Sequence, residues 1–272
     1  MGEPLRTGIS SGHFEWKDIE HAFRRCRDEW AFDILEIWGE QLGYPPPKGT
    51  GRELKRLSNE YGVAVSYHAP FFGQYDLACH NPSRSGLILN ELLTVCKRCG
   101  VEFLIVHLGS NPDRQAGLRS ALSAISQNLV TIEKLKLRLA VEIVPSLWGN
   151  QVGDRVEDFE SLFRSMDRHW LGLALDYGHA RLNNNLEEVI ERLDDRIIYA
   201  HINDNKGEAD EHLGYGMGVI DWGEALRETL RAGFRGPFVI EYPEFHGLDK
   251  TERFLQDLRD YHQEIEALES AR

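Results

Sequence analysis

Eight times along this chain of 272 residues, a short apolar run is followed by a loop and then by a stretch of helical apolar spacing. The strand-like runs cover residues 5–9, 32–38, 63–68, 103–107, 139–144, 171–176, 197–202 and 238–242. The helical patterns that follow cover 17–30, 52–61, 84–99, 118–136, 156–166, 186–193, 222–232 and 251–268. Strands that alternate with helices pair in parallel through right-handed crossovers, and eight such units predict closure into a (β/α)8 TIM barrel. No linker-like segment interrupts the series, so residues 1–272 are read as a single domain. The expected loops at 39–51, 69–83, 145–154 and 203–221 are long, and all lie at the C-terminal end of the strands, where barrels carry their chemistry.

Composition narrows the function classes. The chain is 42% hydrophobic and 28% charged, and no apolar stretch reaches the roughly 20 residues of a membrane helix. With no signal-like apolar core at the start, a cytoplasmic location and no membrane partner are expected. Thirty-one basic against 44 acidic residues leave a net charge of −13, which repels a phosphate backbone at long range. Cys96 and Cys99 form a lone CxxC within a helical run, without a second pair to complete a zinc knuckle, and are read as packing thiols with Cys26 and Cys79.

The strand ends carry the functional signal. Glu36 closes the second apolar run, His68 the third, His107 the fourth, Glu142 the fifth, Asp176 the sixth, His201 the seventh and Glu241 the eighth. Each is a metal-capable side chain in an otherwise apolar run. Any one of them alone would read as a satisfied core histidine or a solvated rim acid. Acids and histidines gathered at one barrel mouth need cations, because unpaired buried charge is prohibitively costly. Two local pairs extend the set: Asp176-Tyr-Gly-His179, and Asp210-Glu-His212, where an extended loop would point residues i and i+2 the same way and leave Glu211 in solvent. Glu36, Trp148 and Lys206 are the candidates to touch substrate, and Trp38 and Trp222 are further aromatic residues at the mouth.

The stretch Asp210-Glu-His-Leu-Gly-Tyr-Gly-Met-Gly-Val-Ile-Asp-Trp222, with Tyr67-His-Ala-Pro70 and Ile240-Glu241, resembles the xylose isomerase-like TIM-barrel superfamily over nearly the whole chain. That superfamily holds sugar and sugar-phosphate isomerases and epimerases together with endonuclease IV. The resemblance implies divalent metal ions, zinc or manganese, at one to three per chain. In the isomerase pattern Glu142, Asp176, His201 and Glu241 would hold one ion, and Glu142 and Glu241 would pass a proton at a sugar or sugar-phosphate carbon. In the endonuclease IV pattern nine residues would hold three zinc ions: His68, His107, Glu142, Asp176, His179, His201, Asp210, His212 and Glu241. Glu142 would then bridge two of the ions, and the partner would be nucleic acid. The chain departs from the nuclease pattern, with Asp176-Tyr-Gly-His-Ala-Arg181 in place of Asp-Thr-Cys-His and Asp210-Glu-His212 in place of Asp-Arg-His. An isomerase or epimerase is therefore the first expectation, and a zinc phosphoesterase the alternative.

Overall fold

The structure is a computed structural model that describes residues 5–13, 18–42, 46–71, 75–242 and 250–270. Lys17, in the first expected helix, and residues 43–45 and 72–74, in two of the expected loops, lie outside the described residues. Eight parallel strands close into a barrel: β1 Thr7–Ser10, β2 Ile34–Trp38, β3 Ala64–His68, β4 Phe103–Val106, β5 Arg138–Glu142, β6 Leu171–Asp176, β7 Ile197–Ile202 and β8 Phe238–Ile240. Each strand pairs with its neighbours in sequence, and β8 returns to β1 with Thr7 opposite Phe238 and Ile9 opposite Ile240.

Around the barrel run α1 Ile19–Asp28, α2 Thr50–Tyr61, α3 Pro82–Cys99, α4 Arg114–Leu135, α5 Val156–Ser165, α6 Leu186–Arg192, α7 Trp222–Arg231 and α8 Thr251–Ser270. Their ends follow local chemistry. Asn81 caps α3 by accepting the Ser83 and Arg84 amides, with Pro82 in the first turn where its missing N–H is harmless. Asp113 caps α4 by accepting the Ala116 amide at 2.9 Å, which starts that helix four residues before its apolar spacing becomes visible. Asp221 caps α7 by accepting the Glu224 amide at 3.1 Å. Among the described residues no helix is long and apolar enough to cross a membrane.

Strand side chains alternate between the barrel interior and the helix layer. Outward residues such as Leu104, Val141, Leu173 and Ala200 join the large core with Leu89, Ile125, Phe159 and Leu226. Cys26, Cys96 and Cys99 are buried in that core, and no cysteine is disulfide-bonded. Inward residues Ile34, Phe103, Ile105, Ala140, Ala174, Tyr199 and Val239 fill the barrel itself. The next inward position on those strands is then Glu36, His107, Glu142, Asp176, His201 and Glu241, and on β3 it is His68 above Ser66. The pleat thus lifts every strand-end acid and histidine onto one layer above an apolar plug.

Three features depart from the expectation. Short helices Gly39–Leu42 and Tyr177–Leu182 follow β2 and β6 directly, and Gly109–Ser110 pairs antiparallel with Gln151–Val152. All three are too short for a periodic pattern to reveal.

Phe103 is fully buried in the barrel plug, its ring 5.1 Å from that of Tyr199. Phe103→Ala is expected to cost about 3–5 kcal/mol in denaturant unfolding. A loss below about 1 kcal/mol would mean that the interior is not packed as described.

Candidate metal centre

Glu142 sits at the middle of the mouth, 1% exposed. Its Oε2 lies 2.9 Å from His68 Nε2 and 3.1 Å from His107 Nε2, while its Oε1 lies 3.3 Å from both His179 Nδ1 and His201 Nδ1. His201 Nδ1 is also 3.3 Å from Glu241 Oε2 and 3.8 Å from Asp176 Oδ2. Asp176 is both a strand end and a helix cap. Its Oδ1 accepts the His179 amide at 2.7 Å, which starts the helix Tyr177–Leu182 and places His179 over the centre. Asp210 completes the layer from the loop after β7, at 3.4 Å from His179 Nε2 and 3.3 Å from His212 Nε2.

The histidine hydrogen bonds fix which ring nitrogen carries the proton. His68 Nδ1 is 2.8 Å from the Ala69 carbonyl, His179 Nδ1 is 2.9 Å from the Ile143 carbonyl, and His212 Nδ1 is 2.6 Å from the Glu241 carbonyl. A carbonyl only accepts, so each Nδ1 carries the proton. The opposite nitrogen of each ring then presents a lone pair to a carboxylate oxygen, and two acceptors at that distance need a proton or a cation between them. Buried atoms without a hydrogen bond include His179 Nε2, His201 Nδ1, Asp210 Oδ1 and Glu241 Oε2. The residues therefore fit divalent ions held by nitrogen and oxygen donors, with the outer ring nitrogens fixed by neighbouring oxygens.

The donors fall into three groups, each with ligand atoms within 4.8 Å of one another. They are His68, His107 and Glu142; Glu142, Asp176, His201 and Glu241; and His179, Asp210 and His212. Glu142 belongs to two of them. All nine residues named from the sequence as metal donors are brought together.

Charge follows the same geometry. Burial pushes the Glu241 carboxyl up to about 7, although His201 and His212 pull against it. Burial also raises Glu142, but His201 and His107 outweigh it and hold that carboxyl well below the usual range. Burial lowers His68, yet the hydrogen bond and charge of Glu142 win and carry it up to about 9. His212 rises to about 9 against its burial because it bonds Asp210. His107 stays below its ordinary value, with burial as the main cause.

Two of the three expected substrate contacts, Glu36 and Lys206, are placed differently. Glu36 is fully buried and lies on the far side of His201, its Oε2 2.9 Å from Nε2, not facing the opening. Lys206 turns to Glu211, which accepts the Lys206 amide at 2.8 Å and lies 3.6 Å from its ammonium, so neither residue joins the centre and Glu211 is not simply solvated. Trp148 does face the mouth: it is 38% exposed, with its ring 5.9 Å from His107, 5.6 Å from His179 and stacked on Phe71 at 6.4 Å. Trp38, at the end of β2, packs its ring 6.3 Å from His68. Trp222 is a core residue, 5% exposed against Tyr215 and Tyr177. The Asp210–His212 segment is not extended either. His212 is left-handed at φ 46°, and this turn, not strand-like alternation, brings the two side chains together.

Sequence reasoning missed the residues that hold the loops. Buried Asp204 accepts the Gly218 amide at 2.9 Å and the Trp222 indole at 2.9 Å, and its backbone pairs with Leu213. A Cβ on Gly218 would fall 2.2 Å from Asp204 Oδ1, so only glycine fits that approach. Asn203 donates to Asp176 Oδ2 at 2.6 Å. Asn183 accepts the Ser146 amide at 2.7 Å and donates to the Val144 and Asp154 carbonyls, which anchors the turn of Trp148. The polar run Asn203-Asp-Asn205 directly after an apolar strand was the available signal for the first two; Asn183 had none.

A family model described as the xylose isomerase-like TIM barrel matches residues 23–271. The chain belongs to that family. Among its relatives, an uncharacterized protein of Methanocaldococcus jannaschii is 28% identical over 269 residues, covering 93% of this chain and 89% of that protein. A probable endonuclease 4 of Thermoplasma acidophilum is 32% identical over 211 residues, 70% of this chain and 71% of that protein. A solved D-tagatose 3-epimerase-like protein superposes with a TM-score of 0.81 at 25% identity, covering 96% of this chain and 99% of that one. The proteins this chain resembles thus include one named as an endonuclease and one named as epimerase-like.

Because His68 and His212 hold protons up to about 9 in the metal-free chain, an ion must displace them at neutral pH. Apparent affinity for Mn²⁺ is expected to rise from about pH 6 to about pH 8, with protons released on binding. Calorimetry in buffers of differing ionisation enthalpy reads both, and an affinity flat over that range would contradict the assignment.

Proposed function

We propose that the protein is a divalent-metal-dependent isomerase or epimerase that acts on a small sugar or sugar phosphate. The observation that carries the reading is the buried seat of Glu142, Asp176, His201 and Glu241, with glutamates at both ends of four consecutive strands. A zinc or manganese ion bound there would acidify the carbon next to a substrate carbonyl and stabilise the charge that develops. Glu142 and Glu241 would transfer the proton, one taking it from the carbon and the other returning it. Their environments push the two carboxyls apart, Glu142 down and Glu241 up, which suits an ionised base and a protonated acid. The likeness to a 3-epimerase-like structure supports a small ketose as the substrate class. Trp148, exposed above His107 and His179, would cover the sugar and exclude water.

A second reading rests on the nine assembled donors and the probable endonuclease 4 relative: zinc-dependent phosphodiester hydrolysis on a trinuclear centre, with nucleic acid as the partner. The net charge of −13 weighs against it. So does Lys206, whose ammonium faces Glu211.

Incubating the manganese- or zinc-loaded protein with a panel of ketoses and their phosphates in D₂O, followed by NMR, tests the first reading. Deuterium is expected at the carbon beside the carbonyl, with Glu241→Gln slowing exchange by about 10²–10⁴-fold and His212→Ala having a mild effect. Absence of exchange across the panel, together with incision of an abasic duplex, would transfer the assignment to the hydrolase.

A further inference from the structure

His201 differs from His68, His179 and His212 in how its outer nitrogen is held. Those three donate to backbone carbonyls, whereas His201 Nε2 meets a carboxylate, Glu36 Oε2, at 2.9 Å. The same oxygen accepts the Tyr199 hydroxyl at 2.9 Å, and Tyr199 in turn lies 2.8 Å from Ser66 Oγ. Glu36, Ser66, Tyr199 and His201 are all fully buried. The chain of contacts crosses the barrel from β3 through β7 to β2 and ends on His201, one of the four donors of the seat. On the opposite side of the His201 ring, Nδ1 is buried with no hydrogen bond, 3.3 Å from both Glu142 Oε1 and Glu241 Oε2.

We propose that Glu36 is a positioning residue that fixes His201 as the Nε2–H tautomer, so that Nδ1 serves as the nitrogen donor of the Glu142–Asp176–His201–Glu241 seat, and that Tyr199 and Ser66 hold Glu36 in place. The inference rests on the reading of that seat as a metal site. An ionised carboxylate only accepts, so the proton of the His201–Glu36 bond belongs to Nε2. A carboxylate behind a ligating imidazole also raises its basicity, which a backbone carbonyl does less strongly. Both of the hydrogen bonds described for Glu36 pass through Oε2, while Oε1 is buried without one. Replacing this side chain therefore releases His201 and Tyr199 together. Gln retains an acceptor for His201; Leu retains the bulk and removes the acceptor.

The test is Co²⁺ titration of the full chain, read by calorimetry and by visible absorption, for wild type, Glu36→Leu, Glu36→Gln and Tyr199→Phe. Glu36→Leu is expected to weaken one binding event by about 10–100-fold and change its absorption band, with Glu36→Gln recovering most of the loss and Tyr199→Phe showing a smaller one. A purely structural role would lower the unfolding midpoint and leave Co²⁺ affinity and spectrum at wild-type values in every variant, which would overturn the proposal. Wild type that takes up no Co²⁺ would instead overturn the metal reading on which it stands. If Glu36→Leu does not fold, Tyr199→Phe and ¹⁵N-detected imidazole spectra of the zinc-loaded wild type decide. His201 protonated on Nε2 with Nδ1 bound supports the proposal, and the reverse tautomer refutes it.

Discussion

Four carboxylates, Glu36, Glu142, Asp176 and Glu241, reach the same layer of the barrel with 0–3% exposure. Two unit charges about 4 Å apart repel by about 4 kcal/mol at the effective dielectric of partly buried sites, so several such pairs would consume the stability of an ordinary domain. Histidines interleaved between the acids relieve this only by holding protons, and the lone pairs facing carboxylates show where cations would do it better. The structure around the mouth exists to hold this charge in place. Strands carry five of its members, His107 and Glu241 follow one residue after strand ends, and the apolar plug of Phe103, Ile105 and Tyr199 beneath them leaves no room for the side chains to retreat.

The donors do not all stand on equal supports. Glu142, Asp176, His201 and Glu241 lie at or next to strand ends, where a neighbouring strand holds the backbone, on both sides in the case of His201. Asp210 and His212 hang on the loop after β7. Their positions depend on Asp204, which ties that loop back to the Gly218 amide and the Trp222 indole, and on the left-handed turn at His212. The chain therefore places four groups that could hold one ion at its strand ends and adds further acid and histidine side chains from loops.

The barrel was legible in the sequence because strand and helix periods differ and alternate eight times, and β6 and β7 begin and end where the apolar runs do. The strand-end members of the donor set were legible because His68, His107, Glu142, Asp176, His201 and Glu241 each interrupt an apolar run at its end, which an apolar core does not otherwise tolerate. Roles were harder to read than membership. Glu36 shares the strand-end pattern of Glu142, yet sits behind a histidine because barrel closure brings β2 within reach of β7, with only β1 and β8 between them, a relation that spacing along the chain does not carry. Lys206 was two residues from the buried Asp204 and still turned away, since Glu211 lies nearer. Trp222 ends a loop at the mouth but points into the core, where Asp204 takes its indole N–H. The placements of Glu36 and Trp222 depend on partners distant in sequence, and that of Lys206 on a turn that brings Glu211 back to it.

The most direct test of the central claim is elemental analysis of the purified, untagged protein after gel filtration in metal-supplemented buffer. The account predicts one to three zinc or manganese ions per chain, in line with the three donor groups, and loss of ions when Glu142, which two groups share, is replaced by alanine. A count near one would agree with the proton-transfer reading, and a count near three zinc ions would favour phosphoester chemistry. A chain that retains no divalent ion after supplementation would contradict the account at its base.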